Sequence, residues 1–227
     1  MKVYGKNVFN ELKENVGAIR KVYLAKSFND KEIIKFIKDN KISYTTTDNK
    51  VMDKMVDGKH QGIIVVINDY DYVDYKTMYS DKMVVVLDHL EDPHNFGAII
   101  RTCEAAGIHS IVIPKDRGVS VNSTVMKTSV GALEHVNVAM VNNLVKAIDD
   151  FKKNGFFVYG ADMNGHNYKD ISFSDKVLLI IGNEGKGMGR LVRETCDEIV
   201  SIPQYGKINS LNASVATAVI IYGIVNR

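Results

Sequence analysis

From Met83 onward the chain repeats one pattern: a short, nearly unbroken apolar run, then a segment with helical spacing. The apolar runs are MVVVLD (83–88), SIVIP (110–114), VNVAM (136–140), FFVYGAD (156–162), VLLIIG (177–182) and EIVSIP (198–203). Helical segments fill most gaps, at 96–106, around 122–132, at 142–153, at 189–195 and near 210–226. A strand that is apolar on both faces has to be covered on both, and intervening helices do this for a mostly parallel sheet. The pattern therefore predicts an α/β domain. Ligands of such sheets bind beyond the carboxyl ends of the strands. The notable loops lie there: DHLEDPHNFG after the first of these strands, GADMNG after the fourth, GNEGKGMG after the fifth and PQYGKINSLN after the sixth.

Residues 1–67 read as a separate, smaller α/β module. Segments 6–14 and 30–38 are amphipathic, the second opened by Asn29 or Asp30. VYL (22–24) and ISYTT (42–46) suit short strands, Asp48 can cap a third helix ending near Gly58, and GIIVVI (62–67) suits a buried strand. Charge divides at the same place. Up to Ile67, 13 Lys and Arg stand against 8 Asp and Glu; from Asn68 on, 16 stand against 19. A basic first part permits an RNA-facing module, although a solvated lysine-rich surface has the same composition. NDYDYVDYKTMYSD (68–81) reads as a linker. Its aspartates would repel phosphate, so Tyr70, Tyr72, Tyr75 and Tyr79 read as pins against a domain surface rather than platforms for bases.

With 45% hydrophobic and 25% charged residues, the composition excludes a disordered or fibrous chain. No apolar run approaches the roughly 18 residues of a membrane span, and the start has no apolar signal core. A soluble, cytoplasmic protein is expected, with no membrane partner. Cys103 and Cys196 have no metal-ligand spacing, so no metal is expected and both read as small buried hydrophobes.

Three loops carry the chemistry. GNEGKGMG (182–189) offers glycines that let backbone approach a ligand. A Walker loop fails because Lys186 is followed by Gly187, and a dinucleotide fingerprint would open the first βαβ unit. Glu184 can accept from a ligand amine or hydroxyl. In SLNAS (210–214), Ser210 can cap the last helix, leaving Leu211, Asn212 and Ala213 in a first turn with free N–H groups. Asn95 and Gly97 shape a strand-end loop, with Arg101 two turns on. A tight turn, a helix cap and a surface arginine would explain each loop alone; they do not explain all three together, at strand ends, in this order.

Asn95 to Arg101, LLIIGNEGKGM (178–188) and SIPQYGKINSLNASVATAV (201–219) resemble the three motifs of the SpoU, or TrmH-like, RNA ribose 2′-O-methyltransferases of the SPOUT superfamily. VYGKNVFNEL at the start and KHQGIIV (59–65) resemble the ends of that family's substrate-binding domain, and DPHNFGAIIRTCEAAGIHSIVIPKDR (92–117) is most similar to the RlmB branch, which methylates a guanosine of large-subunit (23S) ribosomal RNA. The resemblance implies an L30e-like RNA-binding domain over 1–67, a linker over 68–81, and over 82–227 a parallel-sheet methyltransferase domain whose C-terminal segment forms a trefoil knot. It implies S-adenosylmethionine as cofactor, RNA as substrate and a homodimer. By position, Gly160, Ala161, Gly182, Asn183, Gly185, Ile202, Leu211 and Ser214 are the implied cofactor residues. Arg101, Asn95, Glu184, Ser210 and Asn212 are the implied catalytic ones. Arginine is a poor base near pH 7, so Arg101 is expected to orient the ribose or phosphate and to stabilise a developing alkoxide. A tRNA ribose methyltransferase and a catalytically silent RNA-binding or ribosome-assembly protein are the alternatives. Gln204-Tyr205 departs from the family, which commonly has methionine and a small residue there.

Overall fold

The computed structural model describes residues 1–207 and 210–226; Ile208 and Asn209, inside the third motif, and Arg227 lie outside the described residues. The chain forms two compact units, Met1–Tyr70 and Asp71–Arg227.

The first unit contains β1 (Lys2–Tyr4), α1 (Lys6–Leu12), β2 (Ile19–Ala25), α2 (Lys31–Asp39), β3 (Tyr44–Thr47), α3 (Asn49–Met52) and β4 (Ile63–Ile67). Its sheet runs β1-β4-β2-β3, with β4 antiparallel to both neighbours and β2 parallel to β3. Apolar on both faces, β4 takes a central place, and Ile63, Ile64 and Val65 are fully buried. Asp30, not Asn29, caps α2 by accepting from the Ile33 N–H at 3.3 Å. Asp48 does not cap α3 with its side chain, because its carboxylate pairs with Lys26 at 3.0 Å. The helix also stops at Met52, well before Gly58; Asp53 instead meets His60 at 3.0 Å.

The second unit contains β5 (Met83–Asp88), α4 (Pro93–Ala105), β6 (Ser110–Pro114), α5 (Ser123–Ser129), β7 (Asn137–Val141), α6 (Leu144–Lys153), β8 (Phe157–Asn167), β9 (Val177–Gly182), α7 (Arg190–Thr195), β10 (Glu198–Ser201) and α8 (Ala213–Val225). All six strands are parallel, in the order β10-β8-β9-β5-β6-β7. Val84, Val86, Leu178 and Ile180 pack with Leu144, Ile148, Phe151 and Val192 of α6 and α7. The alternate residues Val85, Leu87, Ile111 and Ile113 point the other way and are also buried. The sheet is thus covered on both faces, as its apolar runs require.

Tyr75 and Tyr79 pack on Phe151, with ring centroids 5.9 and 5.3 Å away. The Tyr75 hydroxyl donates to Asp150 at 2.8 Å, and burial followed by that carboxylate raises its pKa. Tyr72 accepts from the Val121 N–H. The Tyr75 and Tyr79 rings are thus occupied by the fold, and Tyr72 is held by its hydroxyl.

Two boundaries change the reading of the site. Asp92 caps α4, accepting from the His94 N–H at 2.8 Å, with Pro93 in the first turn. Asn95 and Gly97 therefore lie inside the helix and do not shape a loop. Gly97 is needed because a Cβ would stand 2.6 Å from the Thr128 side chain, where α5 packs. At the other end, Asn212 and not Ser210 caps α8: its Oδ1 accepts from the Ser214 and Val215 N–H groups. Helix α8 starts at Ala213, so Ser210 and Leu211 precede it.

Candidate active site

Strand order reverses in sequence between β5 and β9, and the ladder joining them ends on Asp88 opposite Gly182. A crevice at the carboxyl ends of a parallel sheet is expected at such a switch point, but the cleft of this unit lies to one side of it, at the ends of β8, β9 and β10. Asp88 is 1% exposed and accepts from the Gly189 N–H at 2.6 Å and pairs with His89 Nδ1. It ties the end of β5 to the start of α7. Motif reading overlooked Asp88; the available signal was a carboxylate closing an otherwise apolar buried run.

The glycine loop is held by Asn183. Its backbone exchanges hydrogen bonds with Gly187 at 3.1 and 2.9 Å, and its side-chain oxygen accepts from the Gly185 and Lys186 N–H groups. Its side-chain amide donates to the His89 carbonyl at 2.9 Å. Folding back this tightly leaves no space at Gly182, where a Cβ would lie 2.4 Å from backbone atoms of Gly187 and Met188. Gly187 turns the chain with φ +68°.

Strand β8 supplies another wall. Its pairing with β10 jumps from Gly160–Ile199 to His166–Val200, leaving residues 161–165 out of that ladder. Asp162 on this excursion accepts from the Asn164 N–H at 2.9 Å and from Arg193 Nη1 at 2.5 Å. This carboxylate was also missed, because its partner lies 31 residues away on α7.

Together the 161–164 excursion, the 182–187 loop, Ile202, Gln204, Ser210, Leu211 and the first turns of α8 line a cleft of about 320 Å³. Of the expected cofactor residues, Ala161, Gly182, Asn183, Gly185, Ile202 and Leu211 line it, as do Glu184 and Ser210 from the catalytic set. Gly160 and Ser214 do not. Gly160 sits behind, where a Cβ would come within 2.7 Å of Met188 and Cys196. The Ser214 hydroxyl donates to Asn212 Oδ1 at 2.6 Å.

A polar chain links the three motifs. Asn95 Nδ2 donates to Glu184 Oε1 at 2.9 Å, and Asn212 Nδ2 donates to Asn95 Oδ1 at 2.9 Å. Asn95 is 8% exposed, so this pairing satisfies a buried amide and cross-links segments 89 and 117 residues apart. Arg101 is not in the chain. It is exposed on α4 and has no hydrogen bond or ion pair among the described residues. The arrangement provides a cleft with apolar walls and backbone polar groups, a carboxylate at its edge, and a guanidinium uncommitted among the described residues on a helix that contributes to the polar chain.

Residues 82–222 match the SpoU rRNA Methylase family, and residues 2–73 match the RNA 2′-O ribose methyltransferase substrate binding family. The chain is 37% identical over 233 residues to "Putative TrmH family tRNA/rRNA methyltransferase YacO" of Bacillus subtilis, covering 98% of this chain and 94% of that one. It is 41% identical over 201 residues to "Putative TrmH family tRNA/rRNA methyltransferase" of Staphylococcus aureus, covering 85% and 81%. Among solved structures, the SpoU methyltransferase AviRb from Streptomyces viridochromogenes, in complex with the cofactor AdoMet, shares the fold. Its TM-score is 0.84 at 21% identity, covering 100% of this chain and 89% of AviRb.

Proposed function

The chain belongs to the SpoU rRNA methylase family, and from that premise we propose that it transfers the methyl group of S-adenosylmethionine to a ribose 2′-hydroxyl of RNA, in a guanosine of 23S ribosomal RNA. One observation carries this reading: Glu184, Asn95 and Asn212, one from each motif, are hydrogen-bonded in series beside a glycine-walled cleft. The lining fits the cofactor chemically. Ile181, Ile202 and Leu211 offer apolar surface to a purine, the glycine loop offers backbone polar groups, and Asp162 and Glu184 offer carboxylates to a cation. Bound there, S-adenosylmethionine supplies a methyl carbon on a positively charged sulfur that departs as a neutral thioether.

Because that leaving group is neutral, the protein's task is to align the acceptor hydroxyl and accommodate loss of its proton. Asn95, held from both sides, fixes Glu184 at the cleft edge, while Asn212 sets the start of α8. Arg101, with no partner among the described residues, is available to hold the ribose or neighbouring phosphate and to stabilise the developing negative charge. Gly160 leaves the room that Met188 and Cys196 occupy, and the Ser214 hydroxyl helps hold Asn212. The reading includes the family's knotted C-terminal threading, a cytoplasmic setting and a homodimer. Val215, Tyr222 and Val225 on α8 are 48%, 41% and 41% exposed, apolar surface that a second copy would cover.

Labelled methyl transfer to total rRNA and tRNA, followed by mapping of ribose methylation, tests the assignment. Label at a 23S rRNA guanosine is expected. Since the relatives' names include both tRNA and rRNA, label on tRNA alone selects the second reading. No label on either favours a binding protein.

The matched substrate-binding region and the basic excess support RNA capture by the first unit. Removing Met1–Tyr70 is expected to leave cofactor binding intact and to weaken RNA binding by about tenfold or more. Undiminished RNA affinity and turnover would refute this division of labour.

A further inference from the structure

Tyr205 is 95% exposed, whereas Met163, the next most exposed large apolar side chain among the described residues, is 61% exposed. It makes no ring contact, hydrogen bond or cation–π contact among the described residues, so it adds nothing to the fold that would explain an aromatic ring. Its setting is more specific than a random surface. Ile202 and Gln204 precede it, Ser210 and Leu211 follow it, and all four line the cleft. Met163 and Leu211, the latter 42% exposed, add apolar surface to the same cleft. Between Ile202 and Asn212 the sole charged residue is Lys207, so nothing in this segment repels a polyanion. Gly206 beside the ring has open space where its Cβ would be.

A nucleotide that presents its 2′-hydroxyl to the cleft must leave its base outside, next to the rim. A base in that position loses its stacking neighbours, and an exposed aromatic ring replaces them without reading its identity. We infer that Tyr205 stacks on the base of the acceptor nucleotide and positions its ribose at the cleft mouth, an inference that rests on the RNA methyltransferase reading. The ring, not the hydroxyl, does the work, which makes the phenylalanine variant a stringent control.

In the full chain, Tyr205→Ala is expected to raise KM for 23S rRNA transcript by about 10- to 100-fold, the loss of one base–aromatic stack. Calorimetric affinity for S-adenosylmethionine should stay unchanged, and Tyr205→Phe should behave like the unsubstituted protein. A second readout is independent of turnover: a single-stranded RNA oligonucleotide carrying 2-aminopurine should be quenched on binding by the unsubstituted and Phe proteins, and not by the Ala protein. Unchanged KM and quenching in Tyr205→Ala overturns the inference. Equal losses in Ala and Phe assign the hydroxyl instead, weakened cofactor affinity makes the ring a cofactor cover, and a shift from dimer to monomer makes it an interface residue; each also overturns it. If the unsubstituted protein methylates no RNA while quenching still depends on the ring, the methyltransferase reading fails and the stacking stands.

Discussion

Replacing Arg101 with alanine is expected to lower the rate of methyl transfer by about 100-fold or more, the scale of losing a group that orients and stabilises developing charge. Binding of S-adenosylmethionine should persist. The expectation follows from where the residue stands. Arg101 is exposed, makes no hydrogen bond or ion pair among the described residues, and does not line the cleft. Its removal leaves no buried partner behind, so its effect on stability should stay within about 0.5 kcal/mol, as for other surface substitutions. A guanidinium without a structural partner has its donors available for a phosphate or ribose oxygen. Single-turnover transfer and equilibrium cofactor binding separate the possibilities. Parallel loss of both would move Arg101 from substrate alignment to the cofactor site or to folding.

Gly182→Ala should act at the opposite end of the reaction, by abolishing cofactor binding. The added Cβ would sit 2.4 Å from backbone atoms of Gly187 and Met188, and backbone cannot swing away as a side-chain tip can. Relieving the clash has to open the 183–187 turn, together with the Asn183–Gly187 hydrogen bonds that close it. The same movement displaces Glu184 from Asn95. We expect cofactor affinity to fall by about 100-fold or more, with a destabilisation of about 1–3 kcal/mol, the usual cost of overpacking. Calorimetric titration together with thermal unfolding checks this. Native cofactor affinity in the alanine variant would mean that the loop is not the adenosine cradle.

Much of this architecture was legible because apolar periodicity is a local signal. The runs at 83–88, 110–114 and 177–182 match the observed strands in both bounds, and the run at 136–140 misses β7 by one residue at each end. Boundaries failed where a side chain had a choice of partner. Asp48 does stand at the N-cap position of α3 but gives its carboxylate to Lys26, and Ser210 offered a cap where Asn212 performs it. Asn95 and Gly97 looked like loop residues because Asn and Gly are common there, whereas Pro93 after Asp92 had already opened the helix. β8 extends to Asn167, since the 161–165 excursion returns to pair again with β10, and no local pattern encodes a strand that resumes its ladder.

The sequence by itself determined the layered α/β plan, the loops at the strand ends and the residues in the three motifs, because each depends on spacing within a few residues. Tertiary structure decided which of those residues meet. It joined Asn95 to both Glu184 and Asn212, left Arg101 without a partner among the described residues, and gave roles to Asp88 and Asp162, which lie in the strand-end loops but had been assigned none. The reason is physical: hydrogen-bond partners 89 to 117 residues apart are chosen by strand order and by the backbone room that glycine leaves, and neither is written in a local stretch of chain.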